Sequence, residues 1–139
     1  MYSHNPMTAL VFFYGTLMSG FRRPGRSTLD RILVPVGRGW IRAALFDLGI
    51  YPAAIPASDG RVWGEVYQML DADAVLSSTD ELEGVNPSEP DSSLYMRAET
   101  LVTFDDGHVA TAWVYFYNAP LGRAERIESG DYLEHLKAK

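Results

Sequence analysis

Two apolar stretches joined by Asp105-Asp106-Gly107-His108 constrain this chain more than any other feature. Tyr95 to Phe104 and Val109 to Tyr117 are rich in β-branched and aromatic residues. Asp-Gly between such runs is the strongest short signal for a β-hairpin, so the two are predicted to pair as antiparallel strands. Arg61 to Met69 alternates apolar and polar residues with period two. Val62, Gly64, Val66 and Gln68 then face one way, and Trp63, Glu65, Tyr67 and Met69 the other. Glu65 falls on a face that otherwise reads as buried. Ala9 to Tyr14 is a continuous apolar run, expected as a buried strand ended by Gly15. Val34 to Leu48 has strand character, clearest over Arg42 to Asp47. Tyr51 to Asp59, with two prolines and several small residues, reads as a surface loop, and so does Ser19 to Gly25.

Helical signals are fewer. Ser27 or Thr28 is expected to cap a short helix through Leu33. Asp71 is a good N-cap, Ala74, Val75, Ser78 and Leu82 keep helical spacing, and Gly84 is placed to stop the helix. Asn86 to Ser93 reads as an exposed loop, and Asp131 to Lys137 as a short terminal helix. The expected fold is α+β and β-rich: a mostly antiparallel sheet, closed or half-closed into a small β-barrel, flanked by a few short helices. Residues 1–139 are expected to form one domain, with 1–8 as a polar N-terminal tail.

Composition narrows the function classes. With 12 basic and 18 acidic residues the formal charge is −6, which argues against a nucleic-acid partner. No apolar run approaches the roughly 18 residues of a membrane span, and Ala9 to Phe13 is too short for a signal-peptide core. A cytoplasmic protein without a membrane partner is expected. The chain has no cysteine, which excludes thiol nucleophiles and thiolate metal sites. His4, His108 and His135 fall in a tail, a turn and a terminal helix, and no metal-ligand spacing appears. Arg22, Arg23 and Arg26 read as solvated loop charges.

Three features can carry chemistry. Tyr14-Gly15-Thr16-Leu17 follows a buried strand. Consecutive backbone N–H groups at such a glycine turn form an anion- or oxyanion-binding concavity; the alternative is an ordinary strand-ending turn. Glu83 lies at the end of the Asp71 helix, beside its apolar stripe. There it is either a solvated charge or a carboxyl whose pKa is raised by the helix pole and by burial, suited to proton transfer. Trp113, Tyr115 and Tyr117 share a strand face near Tyr95, as core or as a pocket wall whose hydroxyls need partners.

Taken in order, these segments resemble the γ-glutamylcyclotransferase-like family, which includes the AIG2-like proteins. The resemblance rests on Tyr14-Gly15-Thr16-Leu17, Asp80-Glu81-Leu82-Glu83-Gly84, Tyr95-Met96-Arg97, Trp113-Val114-Tyr115 and Ser129-Gly130-Asp131-Tyr132, and spans Val11 to Leu133. It implies a small β-barrel flanked by helices, acting on a small-molecule γ-glutamyl amide without cofactor or metal. The substrate's α-amino group attacks its own γ-carbonyl, releasing 5-oxoproline and an amine or amino acid. By this resemblance Glu83 is the catalytic acid/base, Tyr14, Gly15, Thr16 and Leu17 hold the γ-glutamyl group, and Tyr95 and Tyr115 line the pocket. The alternative is a non-catalytic small-metabolite-binding module of the same fold. The Val85 to Leu94 loop and Met18 to Arg23 depart from the family pattern. Arg22, Arg23 or Arg97 is available for a substrate carboxylate, with Glu65 or Glu99 as a structural alternative partner for Arg97. The chain is expected to be a monomer or homodimer.

Overall fold

In the computed structural model the described residues are 8–86 and 88–139. The expected polar tail, with His4, falls outside them except for Thr8. Six strands are present: β1 (Leu10–Phe13), β2 (Leu33–Asp47), β3 (Pro52–Met69), β4 (Tyr95–Phe104), β5 (Val109–Tyr117) and β6 (Glu125–Arg126). Helices α1 (Ala72–Leu82) and α2 (Tyr132–Lys137) accompany 3₁₀ segments at Ser27–Ile32 and Pro90–Ser92.

The strands close on themselves. β1 pairs with β3, β3 with β2, β2 with β4, β4 with β5, and β5 returns to β1. The result is a five-stranded barrel in which only β1–β5, at Val11↔Trp113, is parallel. Closure leaves no long edge to template aggregation. Val11, Ile41, Val62, Val66, Val102 and Val114 are buried in the core. Val62 and Val66 share one face of β3, as the period-two pattern requires.

The hairpin follows its sequence signal. β4 and β5 occupy the predicted residues and pair from Tyr95↔Tyr117 to Thr103↔Val109. The expected loop over Tyr51 to Asp59 is instead the first half of β3, pairing Pro52–Pro56 with Ala43–Asp47. Its prolines occupy positions a strand tolerates: Pro52 is the first strand residue, and Pro56 pairs with Ala43 at a register shift. Its alanines, Ala53 and Ala54, are fully buried. The helix expected from Ser27 or Thr28 is a 3₁₀ segment with Arg26 at its cap position and no side-chain cap. Thr28 donates to Gly25 O instead.

In α1, Asp71 accepts from Ala74 N as expected, and Gly84 follows the helix with φ 68°. The buried face is Val75, Leu76 and Thr79; Ala74 and Ser78 lie outside it. Polar Thr79 joins the core side because its hydroxyl meets Val75 O at 3.0 Å and Tyr115 Oη at 2.5 Å. Asp131 caps α2, accepting from Glu134 N.

Candidate active site

A cavity of about 130 Å³ lies between the end of β1, the first residues of β3 and β4, and the end of α1. It gathers Tyr14, Gly15, Thr16, Leu17, Glu83, Tyr95 and Tyr115, the residues to which the family resemblance gives roles, whereas Arg22, Arg97, Trp113 and Tyr117 do not line it. Arg23, offered by the sequence for a substrate carboxylate, and Leu94, at the end of the Val85 to Leu94 loop, also line it, together with Tyr51 and Pro52, which no local signal marks.

The Tyr14–Leu17 loop is held from several sides. Met18 N donates to Gly15 O at 3.0 Å, closing the turn. A Cβ on Gly15 would stand 2.8 Å from Pro52 Cγ, so glycine is needed here for close packing against β3. Arg26, expected in solvent, is buried: its Nε donates to Leu17 O at 2.8 Å and its guanidinium lies over the Tyr67 ring at 5.1 Å. A buried guanidinium needs such partners. Glu65 anchors Ser19, two residues beyond the loop, accepting from Ser19 N at 2.7 Å and Ser19 Oγ at 2.9 Å, and it also accepts from Tyr67 Oη at 2.7 Å. These contacts explain its place on a mostly buried face. No acceptor among the described residues takes the amide N–H of Gly15, Thr16 or Leu17.

Glu83 stands at the C-cap of α1, its N–H donating to Thr79 O. Its side chain is only 15% exposed, and Oε2 lies 3.4 Å from Arg23 Nη1. Burial pushes its carboxyl above the ordinary carboxylate range, while the Arg23 guanidinium pulls the other way without cancelling that rise. Arg23 is itself fixed by donating to Leu82 O and to Thr16 Oγ1. One guanidinium therefore ties the helix end to the Tyr14 loop.

The three tyrosines are walls. Tyr14 Oη donates to Tyr115 O at 2.6 Å and accepts from Ala54 N at 3.2 Å. Tyr95 Oη donates to Pro52 O at 2.8 Å. Tyr115 Oη donates to Asp80 Oδ1 at 2.6 Å. Burial raises all three phenol pKa values beyond any physiological pH. With the protons of these three committed to protein acceptors, Glu83 is the carboxyl that lines the cavity.

Behind Tyr115, Asp80 receives Arg97 through two bonds, Nε at 2.8 Å and Nη2 at 3.1 Å. Arg97 thus pairs with neither Glu65 nor Glu99, and its guanidinium lies over Trp113 at 4.7 Å. The clamp fixes the last turn of α1, which carries Glu83, against β4 and β5. Tyr115→Phe is expected to lower stability by about 1.5–3 kcal/mol, because it strips a hydrogen bond from a partly buried carboxylate. Urea denaturation would read this directly.

Among the described residues, no group of three or more His, Asp or Glu side chains is placed to hold a metal. None of their helices is long and apolar enough to cross a membrane.

Residues 11–134 match the family model described as gamma-glutamyl cyclotransferase, AIG2-like. The chain belongs to this family. Its members include the gamma-glutamylcyclotransferase family protein YtfP of Escherichia coli, 34% identical over 93 residues, which is 67% of this chain and 70% of that protein. The solution structure of YtfP superposes with a TM-score of 0.62 at 31% identity, covering 91% of this chain and 97% of that one. YkqA from Bacillus subtilis shares the fold, with a TM-score of 0.67 at 24% identity; the match covers 96% of this chain and 44% of YkqA. A mouse AIG2-like protein shares it too, with a TM-score of 0.61 at 24% identity over 81% of this chain and 80% of that one. The closed barrel with few helices is thus the architecture of the γ-glutamyl cyclotransferase, AIG2-like family.

Proposed function

We propose that this chain is a γ-glutamyl cyclotransferase with Glu83 as its acid/base. The observation that carries the reading is one buried carboxyl of raised pKa in the same cavity as three unpartnered backbone N–H groups. The N–H groups of Gly15, Thr16 and Leu17 are suited to hold the γ-glutamyl group and to stabilise oxyanion charge. The α-amino nitrogen of the substrate bonds to its own γ-carbonyl carbon, and the bond from that carbon to the departing nitrogen breaks. Two protons leave the attacking nitrogen, and two reach the departing amine, which leaves as its ammonium. Glu83 carries them in turn, accepting as carboxylate and returning as acid. Closure of a five-membered ring gains from proximity, so no covalent enzyme intermediate is required. Tyr14, Tyr95 and Tyr115 shape the pocket and help exclude water.

This reading carries a pH signature. Glu83 must be ionised to accept the first proton, so the acidic limb of kcat/KM is expected above the ordinary carboxylate range. Arg23 lowers the Glu83 pKa. Arg23→Gln is therefore expected to move that limb to higher pH. A pH–rate profile of both proteins tests it; an unmoved limb would separate Arg23 from the titrating group. Binding of γ-glutamyl amides without turnover by the folded wild type would instead assign the cavity to a binding module.

A further inference from the structure

The cavity continues into an open groove of about 400 Å³ that shares Thr16, Arg23 and Tyr51 with it. The remaining lining is Phe21, Arg22 and Ile50. In a chain of net charge −6, this groove is lined by two guanidinium groups and no carboxylate. Arg22 is exposed and makes no hydrogen bond or ion pair among the described residues. Ile50 sits in the tight turn between β2 and β3, where Leu48 N donates to Tyr51 O, and is 79% exposed. Nothing in the turn requires an apolar side chain there. With Phe21 and Tyr51 it makes an apolar floor edged by positive charge.

We propose that this groove receives the departing amine of the substrate and selects an apolar amino acid bearing a free carboxylate over neutral and cationic amines. The inference rests on the cyclotransferase reading. The scissile bond must lie beside Glu83, so whatever is attached to the departing nitrogen extends out of the small cavity into the space that adjoins it. There a carboxylate meets Arg22 and the outer edge of Arg23, and an aliphatic side chain lies against Ile50 and Tyr51. Charge-assisted contacts of this kind are strong and directional. A diamine would place its free ammonium against the same two guanidinium groups, a like-charge arrangement that excludes it. Arg22 and Ile50 are specificity residues under this proposal, outside the chemistry itself.

The test compares the γ-glutamyl amides of leucine, leucinamide, glycine and putrescine. In the wild type, kcat/KM for 5-oxoproline release is expected to be about tenfold higher for leucine than for leucinamide, chiefly through KM, and lowest for putrescine. Arg22→Gln is expected to narrow the leucine-to-leucinamide ratio, and Ile50→Ser the leucine-to-glycine ratio. Arg31→Gln, an exposed arginine of the 3₁₀ segment, controls for net charge and should change neither. Equal rates for leucine and leucinamide, or a preference for putrescine, would overturn the proposal while leaving the cyclotransferase reading intact. Calorimetric titration of Glu83→Gln with the same amides separates the two claims. If the wild type turns over none of them, tighter binding of the leucine amide would still support the groove's selectivity, and equal binding would overturn it.

Discussion

Replacing Glu83 with Gln is expected to lower 5-oxoproline release by a factor between about 10² and 10⁴, the usual reach of a positioned acid/base. The amide is nearly isosteric but can neither accept the proton from the substrate ammonium nor return it. Tyr14, Tyr95 and Tyr115 offer no substitute, since they donate to protein oxygens and their pKa values are raised by burial. The same substitution should not unfold the protein. The folded state raises the Glu83 pKa above its ordinary value of 4.5, so it binds that proton more tightly than the unfolded chain does. Stability associated with Glu83 is therefore greatest below its unfolded pKa and is lost as pH rises through the folded one. Gln carries no charge to desolvate at any pH. The Tm of Glu83→Gln is expected to equal or exceed that of the wild type at pH 7, with the difference vanishing below about pH 4. Loss of activity with retained Tm separates a chemical role from a structural one. A large fall in Tm at pH 7 would contradict a desolvation cost for this buried carboxyl.

Gly130→Ala is expected to produce the largest loss of stability of any single methyl addition considered. Gly130 has φ 68°, and a Cβ there would stand 1.7 Å from Arg61 O. That oxygen belongs to the backbone of β3, so no side-chain rotation relieves the contact. The Gly130 carbonyl accepts from Trp63 N at 2.8 Å, stitching the approach to α2 onto the barrel. Left-handed backbone costs a non-glycine residue about 1–2 kcal/mol, and overpacking adds about 1–3 kcal/mol. Together these predict a loss of about 2–5 kcal/mol, enough to leave little folded protein in a marginally stable domain. Gly107→Ala is the matched control. Its φ is 92°, but nothing lies within 4 Å of the added Cβ. It should cost only the backbone contribution, about 1–2 kcal/mol. Equal denaturant midpoints for the two variants would contradict the packing of Gly130 against β3.

What the sequence revealed follows how local each determinant is. The β4–β5 hairpin was legible to the residue because its turn chemistry and its flanking apolar runs are contiguous. The first half of β3 was not. Pro52 and Pro56 carry a loop signal, and only their pairing with Ala43–Asp47 shows that they occupy tolerated positions. Barrel closure depends on the parallel contact of Val11 with Trp113, 102 residues apart in chain order, which no short window of sequence contains. The candidate site divides in the same way. Glu83 and the Tyr14–Leu17 loop were identified through the family's ordered motifs, and the fold brings them to one cavity. Arg26 reads as solvated because only Asp30, four residues on, is a local partner, while Leu17 O and the rings of Phe13 and Tyr67 converge on it in three dimensions. The sequence leaves Arg97 between a substrate carboxylate and Glu65 or Glu99, whereas its partner Asp80 comes from the helix α1.

The central claim is ring closure by the substrate's own amine, and the identity of the product tests it most directly. Incubation of the wild type with γ-glutamyl-leucine in ¹⁸O-enriched water, followed by mass spectrometry, distinguishes cyclisation from hydrolysis. Cyclisation predicts unlabelled 5-oxoproline in equal amount with free leucine, and loss of both products in Glu83→Gln. Glutamate carrying one ¹⁸O in its γ-carboxyl would mean that water attacks the amide, and would contradict the account.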